Sequence, residues 1–216
     1  MMVERKLTMK ASMKTLLATA MTMASLAGVL PAQPAPPLSN TEFAFNMVRN
    51  AALPAGVLTQ AKALVIIKSI GDVEIMTLAV SGLPPNTDFD FFVIQVPTAP
   101  FGLAWYQGDV ETDAQGNGVQ EFIGRFSDET FIVAPGVAPA PDTMPQGPFP
   151  DATQNPKTAP VQLYHLGMWF NDPKDAVKAG APGTVTPFNG EHNAGVQVIN
   201  TSNFPAILGP LFHVKS

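Results

Sequence analysis

The stretch GLAWYQGDVETDAQGNG, Gly102 to Gly118, sets two large aromatic residues ahead of Asp109, Glu111 and Asp113 and closes on a run of Gly and Asn. Residues of those types at that spacing could hold a metal on carboxylates, stack a ligand on the rings, or simply turn a hairpin. On an extended strand Trp105, Gln107, Asp109, Glu111 and Asp113 share one face, while Ala104, Tyr106, Val110 and Thr112 share the other, which is expected to face the core. Consecutive carboxylates on one strand face stand about 7 Å apart, too far to wrap one calcium ion with oxygens at about 2.4 Å. The acidic ladder therefore reads as a solvated face. The turn DAQGNG copies the first half of a calcium loop, with Asp113 and Asn117 as ligands and Gln115 substituted between them. Glu121 could add an oxygen, yet the closing position of such a loop falls on Gly124, and a Gly- and Asn-rich hairpin needs no metal. Calcium at Asp113, Asn117 and Glu121 is carried as an alternative to the plain hairpin, and no other cofactor is expected.

The histidines, His165, His192 and His213, match no H-x-H or H-E-x-x-H pattern, so a metal or acid–base site would have to assemble in space. Glu191 beside His192 is the natural pair for His165 in such a site. Strand alternation puts His165 and Trp169 on an outer face and Leu166, Met168 and Phe170 inward. No serine lies in a G-x-S-x-G elbow, and no phosphate-cradling or dinucleotide glycine motif sits between a strand and a helix. Asp109 and Glu111 are too close along one strand to be recognised as a glycosidase pair. Trp105 and Trp169 remain as rings that could stack on sugars.

These residues need elements to hold them. With 22 prolines and 17 glycines in 216 residues, and Thr, Val and Phe dense between them, the chain predicts many short strands joined by turns. Strands are expected over Ala61–Ile70, Val73–Ser81, Asp88–Val96, Leu103–Thr112 and Gly118–Ser127, too closely spaced for crossover helices, so the pairing should be antiparallel. The segment TEFAFNMVRNAALPAG reads equally as an edge strand or a helical turn. Residues 134–160 carry eight prolines and no apolar period, which predicts a long surface loop. VQLYHLGMWF, a helical turn at DPKDAVKAG, GVQVINT and an edge at LFHV follow; these late strands are expected to complete the earlier sheets. The expected fold class is all-β, an antiparallel β-sandwich with a long Pro-rich loop.

The beginning of the chain follows another rule. Arg5, Lys6, Lys10 and Lys14 precede the mildly apolar TLLATAMTMASLAGVL and then PAQPAPP, the order of a secretory signal peptide over residues 1–32, with cleavage after Ala27 or Ala32. A Pro-rich connector over 33–42 and a single domain over 43–216 complete the organisation. Sixteen residues diluted by Thr and Ser fall short of the roughly 20 apolar ones a spanning helix requires. Without residues 1–32 the chain has 8 basic against 16 acidic residues, a formal −8, which repels phosphate backbones and anionic lipid. Neither nucleic acid nor, after signal cleavage, a membrane is an expected partner; an extracellular protein or a glycan is. The absence of cysteine removes disulfides, thiol catalysis, thiolate zinc and iron–sulfur clusters together.

One short stretch carries a resemblance. In GLPPNTDFDFFV, Gly82 to Val93, a strand ending in Gly-Leu is followed by Pro, a small polar residue, Thr, a spacer and an aromatic, which resembles the corner between two late strands of fibronectin type III and related immunoglobulin-like domains. Phe89 stands where that family has Tyr, so a tyrosine corner's hydroxyl bond is missing. The combination AWYQGD, GRFSDETFIVAPG, YHLGMWF and TPFNGEH looks like a group of exported bacterial proteins; that resemblance implies secretion and a β-rich domain and brings no activity with it. Together these readings predict a secreted binding or structural module, with a hydrolase or metalloprotein on His165, His192 and Glu191, or a carbohydrate-binding module on Trp105 and Trp169, as alternatives. Ligand contact is expected at Trp105, Asp109, His165, Trp169 and His192.

Overall fold

The computed structural model describes residues 42–71, 73–126, 131–132 and 161–214. The expected signal peptide, most of the Pro-rich connector and the Pro-rich loop over 134–160 lie outside the described residues. Alternation builds the first ladders. In β3 (Val73–Ser81) every second side chain is buried, in β2 (Lys62–Ile70) the same holds through Ile67, and the two pair antiparallel along their whole length. β1 (Glu42–Arg49) pairs with β2 on one side, and β6 (Gly118–Gly124) pairs with β3 on the other. β4 (Asp88–Ile94) pairs with β5 (Ala104–Glu111) and with β9 (His165–Phe170), and β10 (Gln197–Asn200) joins β9 to β1. The result is one antiparallel eight-stranded sheet in the order β5-β4-β9-β10-β1-β2-β3-β6. A separate short pair, β7 (Phe131–Ile132) and β8 (Val161–Gln162), adds a second small sheet. The all-β, antiparallel expectation is met, and the late strands complete the earlier ladders through β4–β9 and β1–β10.

Three elements differ from expectation. The segment that read as strand or helical turn is strand β1, and it sits between β2 and β10 rather than at an edge. VQLYHLGMWF divides into β8 and β9. LFHV forms a 3-10 turn, Pro210–His213, where Pro210 supplies a fixed φ and no amide to a ladder. The helical turn expected after β9 is α1 (Pro173–Lys178), capped by the Asp172 carboxylate, which accepts the Lys174 amide at 2.7 Å.

Side chains from β1, β2, β3, β4, β5, β6, β9 and β10 meet in one apolar cluster, with Val65, Met76, Leu78, Phe89, Phe91 and Leu166 at its centre. Two polar clamps hold its margins. The Arg49 guanidinium donates to the carbonyls of Val57 and Pro54 at 2.6 Å each, and to those of Leu53 and Asn50, fixing the connection from β1 to β2. At the corner before β4, the Thr112 hydroxyl donates to the Pro84 carbonyl at 2.6 Å and accepts the Thr87 amide at 3.0 Å. Thr112 thus ties the corner that Phe89 cannot.

A second apolar cluster lies on the opposite face of β4 and β9. There Phe92, Ile94, Trp169 and Ala194 are roofed by Phe101 and Phe188 from two loops. The Trp169 ring lies 5.3 Å from Phe92, 5.1 Å from Phe101 and 5.2 Å from Phe188. β4 and β9 are therefore buried on both faces, and they are the rigid support on which the neighbouring polar residues stand.

Candidate functional site

β5 does not alternate as a regular strand. Phe91 pairs with Gly108 and Phe92 with Tyr106, so Gln107 is an extra residue, a β-bulge. One inserted residue reverses the sides of everything before it. Tyr106 therefore shares its face with Asp109 and Glu111, and Trp105, paired with Val93, belongs to the opposite side. The expectation that Trp105 accompanies Asp109 and that Tyr106 faces the core is corrected by this bulge. Gly108 is required at it: φ is +149°, and a Cβ there would come 2.9 Å from the Phe122 ring.

The reversal assembles a compact polar group. Asp88 pairs with Glu111 and Asp90 with Asp109, so four carboxylates occupy adjacent positions on one face of β4 and β5. The Tyr106 hydroxyl donates to Asp109 Oδ1 at 2.5 Å, and the Tyr106 ring meets Phe92 edge-on at 5.5 Å. From the end of β9, Asn171 donates to Asp88 Oδ2 at 3.2 Å, and Asn189 donates to Asn171 Oδ1 at 3.1 Å. Phe188 and Asn189 are consecutive, so one loop roofs the aromatic cluster with the first and braces the polar group with the second.

Burial decides the electrostatics. Asp90 is 2% exposed; desolvation, with Asp109 and then Asp88 adding repulsion, pushes its carboxyl up to about 6, against an opposing hydrogen bond from Asn189. Asp88 is raised for the same leading reason, with Asp109 next. The Tyr106 hydroxyl is raised by burial and by its bond to Asp109, which favours the protonated, donating form. Asp88 Oδ1, Asp90 Oδ2 and Trp169 Nε1 are buried without a hydrogen-bond partner among the described residues. A protonated Asp90 is thus the low-energy state of this face under mildly acidic conditions.

The remaining expected residues are dispersed. Trp105 is 58% exposed near the start of β5, and Tyr106, expected in the core, is 46% exposed. Trp169 points outward as expected but is fully buried beneath its roof, so it offers no stacking surface. His165 is also fully buried. Its Nδ1 lies 2.8 Å from the Thr201 hydroxyl, its Nε2 has no hydrogen-bond partner among the described residues, and the backbone of Pro205 and Ala206 lies beside the ring. Burial lowers its pKa, outweighing the opposing effect of that backbone. Glu191 and His192 are exposed in the loop that Asn189 fastens to Asn171. His165 and Asn171 stand at opposite ends of β9, about 20 Å of strand apart, so the structure does not bring His165 to Glu191 and His192.

The Asp113 turn is a self-contained cap. Asp113 Oδ1 accepts the amides of Gln115 at 2.8 Å and Asn117 at 2.9 Å, and the Asn117 amide leads in lowering its pKa. Glu121 lies on β6 and accepts the Thr77 hydroxyl at 3.2 Å. Gly116, at φ +77°, lets the turn press its backbone on the Leu83 carbonyl, where a Cβ would collide. Among the described residues no group of three or more His, Cys, Asp or Glu side chains has the arrangement of a metal site. None of the described helices is long and apolar enough to cross a membrane. No protein-family model matches this chain, and no match is found among curated proteins.

Asp88, Asp90, Asn171 and Asn189 were missed in sequence. The signal for the first two is the alternation in DFDFF, which puts two acids on the outward face of a strand whose other residues are large and apolar.

Proposed function

We propose that this chain is an exported, non-catalytic binding module, built as an immunoglobulin-like sandwich, that presents the β4–β5 edge to a hydroxyl-rich ligand of the glycan class. The observation that carries the reading is the exposed Tyr106 ring, hydrogen-bonded to Asp109 and held by the bulge beside Glu111. A sugar ring brings an apolar C–H face and a rim of hydroxyl donors; the first fits an aromatic ring and the second fits carboxylate acceptors. β5 pairs only with β4 among the described residues, so Trp105, on the other side of the same edge strand, adds a second exposed ring. The rigid double-sided packing of β4 beneath lowers the ordering cost of binding. A non-catalytic role is favoured because Asp90 and His165, the two buried groups with shifted proton affinity, are sealed from a substrate.

Calorimetric and fluorescence titration with a panel of neutral and acidic oligosaccharides tests this. Tyr106→Ala and Asp109→Asn are each expected to weaken binding at least tenfold. The fluorescence response comes from Trp105, since Trp169 is buried, and disappears in Trp105→Phe. No binding across the panel, or binding that survives both Tyr106→Ala and Asp109→Asn, refutes the proposal.

A further inference from the structure

The outward face of β4 and β5 carries charge that no described residue balances. Asp88, Asp90, Asp109 and Glu111 occupy adjacent cross-strand positions. None of the four is in an ion pair among the described residues, where the basic partners go to Glu74, Asp172 and Asp175. The charges acting on Asp88 and Asp90 are other acids: Asp109 and Glu111 on the first, Asp109 and Asp88 on the second. Like charges set opposite one another across a ladder are destabilising.

Asp90 sharpens the imbalance. It is 2% exposed, in register with Asp109, and its Oδ2 has no hydrogen-bond partner among the described residues. A buried acceptor of this kind, beneath exposed acids, is stabilised by a positive charge arriving from outside, and the hydroxyls of a neutral sugar bring none. A calcium ion would need about six or more oxygens converging on one point at about 2.4 Å; the described acids do not converge in that way. An ammonium asks for less, because its donors take separate acceptors and its charge can sit over an aromatic face. Tyr106, 46% exposed, shares the face of Asp109 and Glu111, its hydroxyl tied to Asp109 and its ring braced edge-on by Phe92.

We propose that the ligand of this face is an amino sugar, a glycan with free rather than acetylated amines, and that one ammonium sits over Tyr106 between Asp109 and Glu111; this rests on the reading of the face as a glycan site. The ammonium does not touch Asp90, which stays sealed, but its field reaches that carboxyl and favours the ionised form. Binding therefore expels a proton. The titratable groups around Asp90 are Asp88 on β4, Asp109, Glu111 and Tyr106 on β5, and Glu191 and His192 in the loop that Asn189 braces; β9 and its end present Trp169 and Asn171, which carry no charge.

Calorimetric titration at low salt compares glucosamine and N-acetylglucosamine oligomers of equal length, which share rings and linkage and differ in the amine. At about pH 5.5 the sugar amine is charged and Asp90 is still largely protonated. The N-acetylated oligomer is expected to bind weakly and the free amine at least tenfold tighter. Asp109→Asn and Glu111→Gln should each remove most of that gain, and Glu42→Gln, at an exposed acid on β1, should not. Repeating the titration in buffers of different ionisation enthalpy should show release of up to about one proton with the free amine and none with the acetylated sugar. Asp90→Asn should abolish the release while the amine still binds. Equal affinity for the two oligomers overturns the amino-sugar assignment and leaves the glycan reading standing, whereas no binding of either sinks both. A gain that persists in Asp109→Asn and Glu111→Gln is adhesion of a polycation to an acidic chain and overturns the proposal. So does a titration with no proton release, or with a release that Asp90→Asn leaves intact.

Discussion

Replacing Asp90 by Asn isolates the charge buried beneath the Phe188–Asn189 loop. Burial, with Asp109 and Asp88 adding, lifts this carboxyl from 3.8 to about 6, so the folded chain holds a proton that the unfolded chain has already released. Its stabilising contribution is therefore fully present below pH 3.8 and is lost as pH rises through about 6. At about 1.4 kcal/mol per pH unit, the gap sets a ceiling of about 3 kcal/mol, and titration together with Asp88 and Asp109 broadens the transition. Asparagine keeps the shape and stays neutral throughout. Urea denaturation of both proteins at several pH values is the assay. The unfolding free energy of Asp90→Asn minus that of the wild type is expected to rise by about 2–3 kcal/mol between roughly pH 4 and pH 7. His165 acts in the opposite sense: its pKa is held below 6.5, so its contribution fades as pH falls, but it is present in both proteins and cancels in the difference. A difference that stays flat over this range refutes a buried, proton-holding carboxylate at position 90.

Other consequences are directly measurable. Trp169→Ala removes the centre of the second aromatic cluster and should cost about 3–5 kcal/mol in chemical denaturation, a loss no surface tryptophan produces. Arg49→Ala removes a donor that four carbonyls share, of which those of Asn50 and Pro54 keep the amides of Leu53 and Val57, and is expected to destabilise by about 2–4 kcal/mol; Arg49→Lys should recover little, because an ammonium cannot reproduce the planar fork. Thr112→Val leaves the Pro84 carbonyl and the Thr87 amide without their partner at the corner, for a loss of about 1–3 kcal/mol, while Thr112→Ser keeps the hydroxyl and most of the stability. Because loop amides already occupy Asp113 Oδ1, a chelator should leave the melting temperature unchanged, and a drop on chelation reversed by calcium would falsify that account of the turn.

Strand positions were legible because the chain alternates strictly where one face is buried: Val73–Ser81 is met at both ends, Ala61–Ile70 differs from the observed strand by one residue at its start, and Leu103–Thr112 by one residue at each end. What alternation could not supply was its own interruption. The extra Gln107 exchanges the sides of Trp105 and Tyr106, and its only mark in the sequence is the following Gly108. The roof over β4 and β9 was equally hidden, because it comes from Phe101 and Phe188, each in a loop with no pattern of its own. Without it Asp90 and Trp169 look like solvent-facing residues on strands, and His165 does so without the Thr201–Gly209 segment that packs on it; with these loops in place all three are sealed. The Asp113 turn, by contrast, was readable from local chemistry, since a carboxylate followed by Gly and Asn folds its own backbone around itself.

The central pair of strands, packed between two apolar layers, gives the molecule an uneven resistance to opening. The roof is held to the ladder mainly by side chains, with the Gly195 amide on the Phe170 carbonyl and the Val96 amide on the Phe101 carbonyl as backbone ties at its margins, so it can peel back while the interstrand bonds beneath survive. The first stage of melting is then a loosening that bares Trp169 and lets Asp90 meet water. Amide hydrogens of β4 and β9 would be the last to exchange, outlasting by far the indole signal that reports the peeled layer.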